Sequence, residues 1–133
     1  MNSKEIVQKY FDCFNAGDRE GMFNLVHENL AHDINQGETR KGLPLFKEFM
    51  KHMDNCYKEN LQNIIVMNSA ENPNRVAAEF VVQGEYLKTD NGLPEAKNQK
   101  YSVPAGSFFE LNNGKISRVT TYYNLPQWIK AVQ

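Results

Sequence analysis

The hydrophobic periodicity of the chain changes near Leu61, and this change limits the folds that the chain can adopt. Before it, apolar side chains recur every three or four residues, as they do along one face of a helix. After it, apolar and polar side chains alternate, as they do on the two faces of a strand. Helices followed by a run of antiparallel strands predict an α+β fold, with a curved sheet wrapped over the helices.

Local signals predict three helices in the first part of the chain. The first, in "SKEIVQKYFDCFNAGD", has Ser3 as a possible N-cap and Gly17 at the left-handed position after its end. Asp18 can cap the second helix, "REGMFNLVHEN". The third helix, "LPLFKEFMKHMDNCY", carries Pro44 in its first turn, where a missing N–H costs little.

A short strand is predicted from Leu30 to Asn35, followed by a polar connection between Gly37 and Gly42. Pro104 and Gly106 indicate a bulge or bend within a later strand. The letters "NNGK" are typical of a hairpin turn, because asparagine and glycine tolerate positive φ. The remaining predicted elements are strands at 61–69, 75–87, 101–111 and 116–124, and a short helix at 125–133.

Composition excludes several classes of protein. A length of 133 residues fits a single domain, and a net charge of −1 gives no electrostatic basis for binding nucleic acid or an anionic membrane. No apolar run has the length of a signal peptide or a membrane span. Cys13 and Cys56 lie in apolar helical patterns, which favours buried free thiols. We therefore expect a cytoplasmic protein that contacts neither nucleic acid nor membrane.

Four segments, in this order, resemble the NTF2-like superfamily and its SnoaL-like family of polyketide cyclases and ketosteroid isomerase relatives. "YFDCFNAGDREGMFNLVHENLAHD" is similar to the opening helix, turn, second helix and first strand of that family. "HDINQGETRKG" is similar to its segment leading into helix three, and "GEYLKTDNGLPEAKNQKY" to its strand, loop and next strand. "FFELNNGKISRVTTYYN" matches its final hairpin. The resemblance covers nearly the whole chain.

The resemblance implies a cone-shaped α+β barrel, with the N-terminal helices packed in the concave face of a curved, mixed and mainly antiparallel sheet. It also implies a small-molecule pocket between that face and the helices. Apolar residues occur on both parities of the late strands, as in the pairs Phe108-Phe109 and Tyr122-Tyr123. Burial of both faces would explain this pattern, so we expect a homodimer formed through the outer face of the sheet.

His32, Asp33 and Tyr10 are the candidate catalytic residues. The resemblance places the isomerase base at Ile34, one residue after Asp33, and an adjacent residue on a strand faces the opposite side. His32 shares the parity of Ile34, and a histidine can act as acid or base near neutral pH. At most one of His32 and Asp33 should face the pocket, and we favour His32. Tyr10 matches the oxyanion-hole tyrosine of the isomerases, although its apolar neighbours are equally compatible with a core position.

Two other acids of the related enzymes are absent, since the resemblance aligns them with Ser107 and Asn124. Two functions therefore stay open. One is a cofactor-independent isomerase, cyclase or hydratase that transfers a proton on an apolar carbonyl-bearing ligand, and the other is a non-catalytic ligand-binding or protein-interaction module. No metal-ligand motif is present, and no metal or cofactor is expected. The expected substrate-binding residues are Tyr57, Ser107, Phe109, Thr121, Tyr123, Asn124 and Trp128.

Overall fold

The structure is a computed structural model that describes residues 1–34 and 37–133, and these residues form four helices and a six-stranded sheet. The predicted α+β class is confirmed. In chain order the elements are α1 (Ser3–Ala16), α2 (Arg19–Asn24), β1 (Val26–Asp33), β2 (Thr39–Lys41), α3 (Leu43–Cys56), β3 (Tyr57–Asn68), β4 (Arg75–Tyr86), β5 (Lys100–Asn112), β6 (Lys115–Tyr123) and α4 (Leu125–Val132).

The sheet is mixed and open, with the strand order β2-β1-β6-β5-β4-β3. β1 runs parallel to β6, and all other neighbouring strands are antiparallel. The sheet curves around the helices. It does not close into a barrel, because β2 and β3 form two unpaired edges among the described residues. The predicted cone with helices in its concave face is present, and the predicted closure is absent from the part of the chain that the structure describes.

Both ends of α1 are fixed by local hydrogen bonds. The Asn2 side chain accepts a bond from the Glu5 backbone at 2.9 Å, and the Glu5 side chain accepts one from the Asn2 backbone at 3.0 Å. This reciprocal capping box satisfies two free N–H groups of the first turn. The prediction of Ser3 as the N-cap is therefore wrong by one residue. Gly17 ends the helix with φ 73°, as predicted.

α2 is shorter than its sequence pattern predicted. Asp18 caps it as expected, by accepting a hydrogen bond from a backbone N–H of the first turn. The helix ends at Asn24, before the predicted end at Asn29, because the chain then enters the sheet. β1 begins at Val26, where it pairs with Ile116 of β6. Pairing with a strand far along the chain overrides the local helical pattern.

The segment between α2 and α3 contains more strand than the sequence predicted. β1 starts before Leu30, and the predicted end at Asn35 lies outside the described residues. The prediction of a plain connection between Gly37 and Gly42 is wrong, since β2 lies within it and pairs antiparallel with β1. A polar strand of three residues has too short an alternation to be recognised by its pattern.

β3 begins at Tyr57, directly after α3, and not at Leu61 as predicted. Its register with β4 shifts after Gln62, and Asn63 takes φ 55° there. This bulge lets Leu61 and Ile64 both pack into the core, although a regular strand would separate them. Before the bulge, strand alternation turns Tyr57, Glu59 and Leu61 toward the concave face.

The later strands agree with their predicted ranges. Asn113 (φ 52°) and Gly114 (φ 76°) form the predicted hairpin turn between β5 and β6. Of the predicted bulge or bend at Pro104 and Gly106, the bulge is absent, because β4 and β5 pair without interruption there. A register shift occurs instead after Glu110, where β5 faces β6.

The main core lies between the concave face of the sheet and the helices. Phe11 of α1 is central to it, with its ring 5.4 Å from that of Phe80 and 5.6 Å from that of Phe109. Cys13 and Cys56 are buried free thiols, as predicted. Among the described residues, no helix has the length and apolar character needed to cross a membrane.

Candidate active site

A cavity of about 350 Å³ lies between the concave face of the sheet and the helices. This volume is at the small end of the range of ligand pockets, roughly 300–1,000 Å³. Most of the wall is apolar, and only a few polar groups face the space. The apolar lining includes Phe11, Phe14, Phe46, Phe49, Met50, Leu61, Phe80, Val82, Val103 and Val119.

His32 of β1 lines the cavity with an almost fully buried imidazole, 8% exposed. Its ring lies edge-on to Phe46 and Phe49, at centroid distances of 5.2 and 4.5 Å. Within the part of the chain that the structure describes, its Nδ1 has no hydrogen-bond partner. Burial lowers the pKa of His32 to about 4, and the nearby charge of Arg40 adds to this. The imidazole is therefore neutral at pH 7 and is a weak base.

Asp33 reaches the rim of the cavity, but its carboxylate is held in a separate network. It accepts hydrogen bonds from Thr120 at 2.5 Å, from Thr39 at 2.7 Å and from Arg118 at 3.4 Å. The hydroxyl bonds from Thr120 and Thr39 are the main reason that the pKa of Asp33 lies below its ordinary value. A carboxylate stabilised in its charged form is a poor acceptor of a proton from carbon.

Tyr10 of α1 also lines the cavity. Its ring lies edge-on to Phe11 and Phe109, with centroids 5.7 and 5.6 Å away, and burial raises the pKa of its phenol. No described residue exchanges a hydrogen bond with its hydroxyl group. The Tyr10 side chain is thus both part of the core and a hydrogen-bond donor available to a bound molecule.

The expected substrate-binding residues divide into two groups. Phe109 is 1% exposed and packs behind Tyr10 in the core, away from the cavity surface. The Asn124 side chain accepts a hydrogen bond from the Gln127 backbone at 3.1 Å and so caps α4. Ser107 and Thr121 face the cavity, where their hydroxyl groups are 2.7 Å apart. The residues of the set that line the cavity are Tyr57, Ser107, Thr121, Tyr123 and Trp128.

Glu59 is a cavity residue that sequence reasoning missed. The Tyr101 hydroxyl donates a hydrogen bond to its Oε2 at 2.6 Å. Burial raises the pKa of Glu59, and the Tyr101 hydrogen bond and the charge of Arg19 oppose that rise. The sequence did carry a signal, since Tyr57, Glu59 and Leu61 alternate. Starting the strand at Leu61 left Glu59 outside the alternating pattern.

Two pairs of polar side chains also line the cavity. Arg19 of α2 donates two hydrogen bonds to Asp54 of α3, at 2.9 and 2.8 Å. His52 Nε2 lies 2.9 Å from Asp90 Oδ1, and the Tyr57 hydroxyl donates to Asp90 Oδ2 at 2.7 Å. Both carboxylates already have hydrogen-bond partners, so they connect neighbouring parts of the cavity wall.

Among the described residues, His52, Cys56 and Asp90 form the group that could hold a metal ion. One potential ligand atom from each lies within 4.8 Å of the other two. However, His52 and Tyr57 occupy both oxygens of Asp90, and burial raises the pKa of the Cys56 thiol, which disfavours the thiolate that a metal would need. Hydrogen bonding accounts for this cluster without a metal.

A family model for the SnoaL-like domain matches residues 7–119. The chain belongs to the SnoaL-like family. This SnoaL-like protein is also similar to solved structures over its whole length, and no curated protein gives a significant match to it.

Two solved structures illustrate that similarity. A candidate polyketide cyclase from Pseudomonas putida KT2440 is 48% identical, with a TM-score of 0.97 and with 100% of this chain and 99% of that chain covered. A phenazine biosynthesis-related protein from Pseudomonas aeruginosa is 25% identical, with a TM-score of 0.81 and with 98% and 80% covered. The fold and family are therefore established for this SnoaL-like protein.

Proposed function

We propose that this SnoaL-like protein, as a single domain, binds a neutral and largely apolar molecule with a carbonyl group and transfers a proton on it without a cofactor. The reaction would be an isomerisation, a cyclisation or a hydration. The observation that carries the proposal is an apolar cavity lined by His32 and Tyr10, in which Nδ1 of His32 and the hydroxyl of Tyr10 have no hydrogen-bond partner among the described residues. Buried polar groups are normally paired, so such atoms are suited to a ligand oxygen.

The three catalytic candidates take different roles in this proposal. Tyr10 donates a hydrogen bond to the carbonyl oxygen and stabilises the negative charge that develops there. His32 is assigned to hydrogen bonding with the ligand, because its imidazole is neutral and weakly basic at pH 7. Asp33 is assigned to the rim of the cavity, because its carboxylate is already bound by Thr39, Thr120 and Arg118.

The charge of the cavity supports a neutral ligand. The carboxyl groups of Glu59, Asp54 and Asp90 face it, whereas Arg19 is the permanently charged cation of the described lining and is already paired with Asp54. A carboxylate on the ligand would add negative charge to a space of low polarity, which is unfavourable.

A thermal-shift screen tests ligand binding, since a ligand that binds only the folded state raises the unfolding temperature. The screen compares neutral bicyclic ketones with carboxylate analogues of the same ring size. We expect stabilisation by ketones alone, and a loss of affinity of about tenfold in Tyr10→Phe, the effect of one net hydrogen bond. Tyr122→Phe, on the exposed outer face, is the matched control. Equal affinity in the Tyr10→Phe variant would refute the assigned role of Tyr10, and no stabilisation by any ketone would refute the ligand class.

The alternative is a ligand-binding or protein-interaction module without chemistry. It is supported by the side chains at Ile34, Ser107 and Asn124, where the related enzymes carry acids. The two proposals differ in one measurable outcome, because the module would bind a ketone from the screen without exchanging the hydrogens next to its carbonyl group. Exchange measured by proton NMR in D₂O therefore separates them.

We also propose a homodimer formed through the outer face of the sheet. Exposed apolar side chains meet there, and the rings of Phe108 and Tyr122 lie 5.8 Å apart on neighbouring strands, with Ile65 and Met67 on the same face. Contiguous exposed apolar surface is typical of protein interfaces. Light scattering should give the mass of a dimer for the natural chain and of a monomer for Phe108→Glu. A monomeric natural chain would refute the proposal.

A cytoplasmic location is part of the proposal as well. Both cysteines are free thiols, the state that reducing compartments maintain.

A further inference from the structure

We infer that Glu59 is the acid–base group of the cavity and that Tyr101 and Gly84 position it. The inference rests on the proposed function and names the group that moves the proton. It also gives the substrate class more closely, as a neutral ketone with a hydrogen on the carbon next to the carbonyl group.

The first support is the arrangement of these residues across three strands. Glu59 of β3 pairs with Gly84 of β4, and Gly84 pairs with Tyr101 of β5. All three therefore form one row on the concave face of the sheet. Glu59 and Tyr101 are separated by a whole strand, yet their side chains meet at a hydrogen bond of 2.6 Å.

Gly84 makes that meeting possible. A Cβ atom at position 84 would overlap with Cζ and the hydroxyl oxygen of Tyr101, and would lie 2.6 Å from Cε2. The Tyr101 ring thus crosses β4 over the backbone of Gly84 and reaches Glu59. Any other residue at position 84 would occupy the space that the ring needs.

The surroundings of Glu59 suit a group that both accepts and returns a proton. Burial raises the pKa of its carboxyl group, while the Tyr101 hydrogen bond and the charge of Arg19 lower it and the charge of Asp54 raises it. A carboxyl group whose pKa moves toward neutrality is a more effective general base and acid than an exposed one. Tyr101 donates its hydrogen bond to Oε2, and Glu59 lines the cavity, so we assign the other carboxyl oxygen, Oε1, to the ligand.

The proton transfer can be written without a co-reactant. Oε1 of the Glu59 carboxylate takes the proton from the carbon next to the ligand carbonyl, and the electron pair of that C–H bond forms the C=C bond of an enolate. The negative charge moves to the carbonyl oxygen, where the Tyr10 hydroxyl donates a hydrogen bond. The protonated Glu59 then returns a proton to the same or another carbon, and in D₂O its carboxyl proton is replaced by a deuteron from solvent before the return. Nothing is oxidised or reduced, and the enzyme regains its starting form.

A carboxyl titration tests the inference without any ligand. The chain labelled with ¹³C at the glutamate carboxyl carbons is titrated by NMR, and the Glu59 signal is identified by its loss in Glu59→Gln. We expect this signal to titrate at higher pH than those of the exposed glutamates, and at still higher pH in Tyr101→Phe, which loses a bond to the charged form. Tyr122→Phe should leave it unchanged. A Glu59 signal that titrates together with the exposed glutamates would overturn the inference.

Hydrogen exchange tests the chemistry, with 1-tetralone as the probe. Proton NMR in D₂O follows the replacement of the hydrogens next to its carbonyl group. We expect the natural chain to accelerate this exchange and Glu59→Gln to reduce the acceleration by at least about 100-fold, the usual contribution of a general base. The dissociation constant of tetralone should change by less than about threefold, because the amide has nearly the shape of the acid. Glu79→Gln, on the outer face, is the matched control and should exchange like the natural chain.

The outcomes separate this inference from the proposed function. If tetralone binds and the natural chain and Glu59→Gln exchange it at equal rates, Glu59 is not the acid–base group, although the proposed ligand class stands. If neither tetralone nor any other neutral ketone binds, the proposed function fails, and the role of Glu59 fails with it. Acceleration by the natural chain together with loss in Glu59→Gln supports both.

Discussion

Replacing His32 with leucine should remove about 3 kcal/mol from the loss of stability that acidification from pH 7 to pH 4 causes. The imidazole is buried against Phe46 and Phe49, and burial lowers its pKa from the ordinary 6.5 to about 4. One pKa unit corresponds to about 1.4 kcal/mol, so this histidine alone should cost about 3 kcal/mol of unfolding free energy on acidification to pH 4.

The sign follows from proton binding in the two states. Between pH 6.5 and about 4, the unfolded chain protonates His32 and the folded chain does not. The unfolded state therefore binds more protons, and stability falls as the pH falls. Glu59 acts in the opposite direction, because its pKa is raised by folding, so acidification favours the folded state at that group. Glu59 is present in both His32→Leu and the natural chain, so its contribution cancels in the difference between their free energies of unfolding.

Urea unfolding at pH 7 and pH 4 measures the difference. At pH 7 leucine should be tolerated, because it removes a buried nitrogen atom that has no partner among the described residues and keeps most of the apolar contacts. The free energy of unfolding of His32→Leu minus that of the natural chain should therefore be about 3 kcal/mol larger at pH 4 than at pH 7. His27→Leu, which removes the other histidine of β1, is the control. An equal loss in His32→Leu and the natural chain would refute the buried, neutral imidazole.

Three further results are expected. Gly84→Ala should reduce the free energy of unfolding by about 1–3 kcal/mol, measured with urea, because its Cβ atom overlaps with the Tyr101 ring. A second substitution, Tyr101→Leu, should restore part of that free energy. If the losses of the two single variants simply add in the double variant, the contact is contradicted. Asn2→Ala should cost about 1 kcal/mol in thermal unfolding, because it breaks the capping box of α1, and an unchanged midpoint would count against that box. A cobalt(II) titration should show no cobalt–thiolate absorption band, and a band that disappears in Cys56→Ser would contradict the cofactor-independent function.

Sequence patterns were sufficient where the determinant is local. The helix periodicity of α1 and α3, the left-handed glycine after α1 and the Asn113-Gly114 turn each depend on a few neighbouring residues, and each was predicted correctly. The strict alternation of a strand also predicted that His32 and Asp33 would have different surroundings. The structure buries the first against phenylalanine rings and binds the second to Thr120 and Thr39.

Patterns failed where residues distant in the sequence compete with local preference. α2 ends early because β1 pairs with β6, and β2 was missed because a three-residue polar strand is defined only by its partner. The Asn63 bulge changes the parity of β3, which no local pattern marks.

The sequence by itself therefore determined the α+β class, the order of the helices and of the strands other than β2, and the resemblance to the family. The tertiary structure decided which side chains can do chemistry. In the sequence, Glu59 is one of many charged residues of the kind usually found on the surface. The pairing of β3, β4 and β5 places it in a row with Gly84 and Tyr101 on the concave face. Asp33 was the more obvious acid until Thr120, far along the chain, and Thr39 donated hydrogen bonds to its carboxylate. Desolvation and pairing set the proton affinity of a carboxyl group, and both depend on neighbours that only folding supplies.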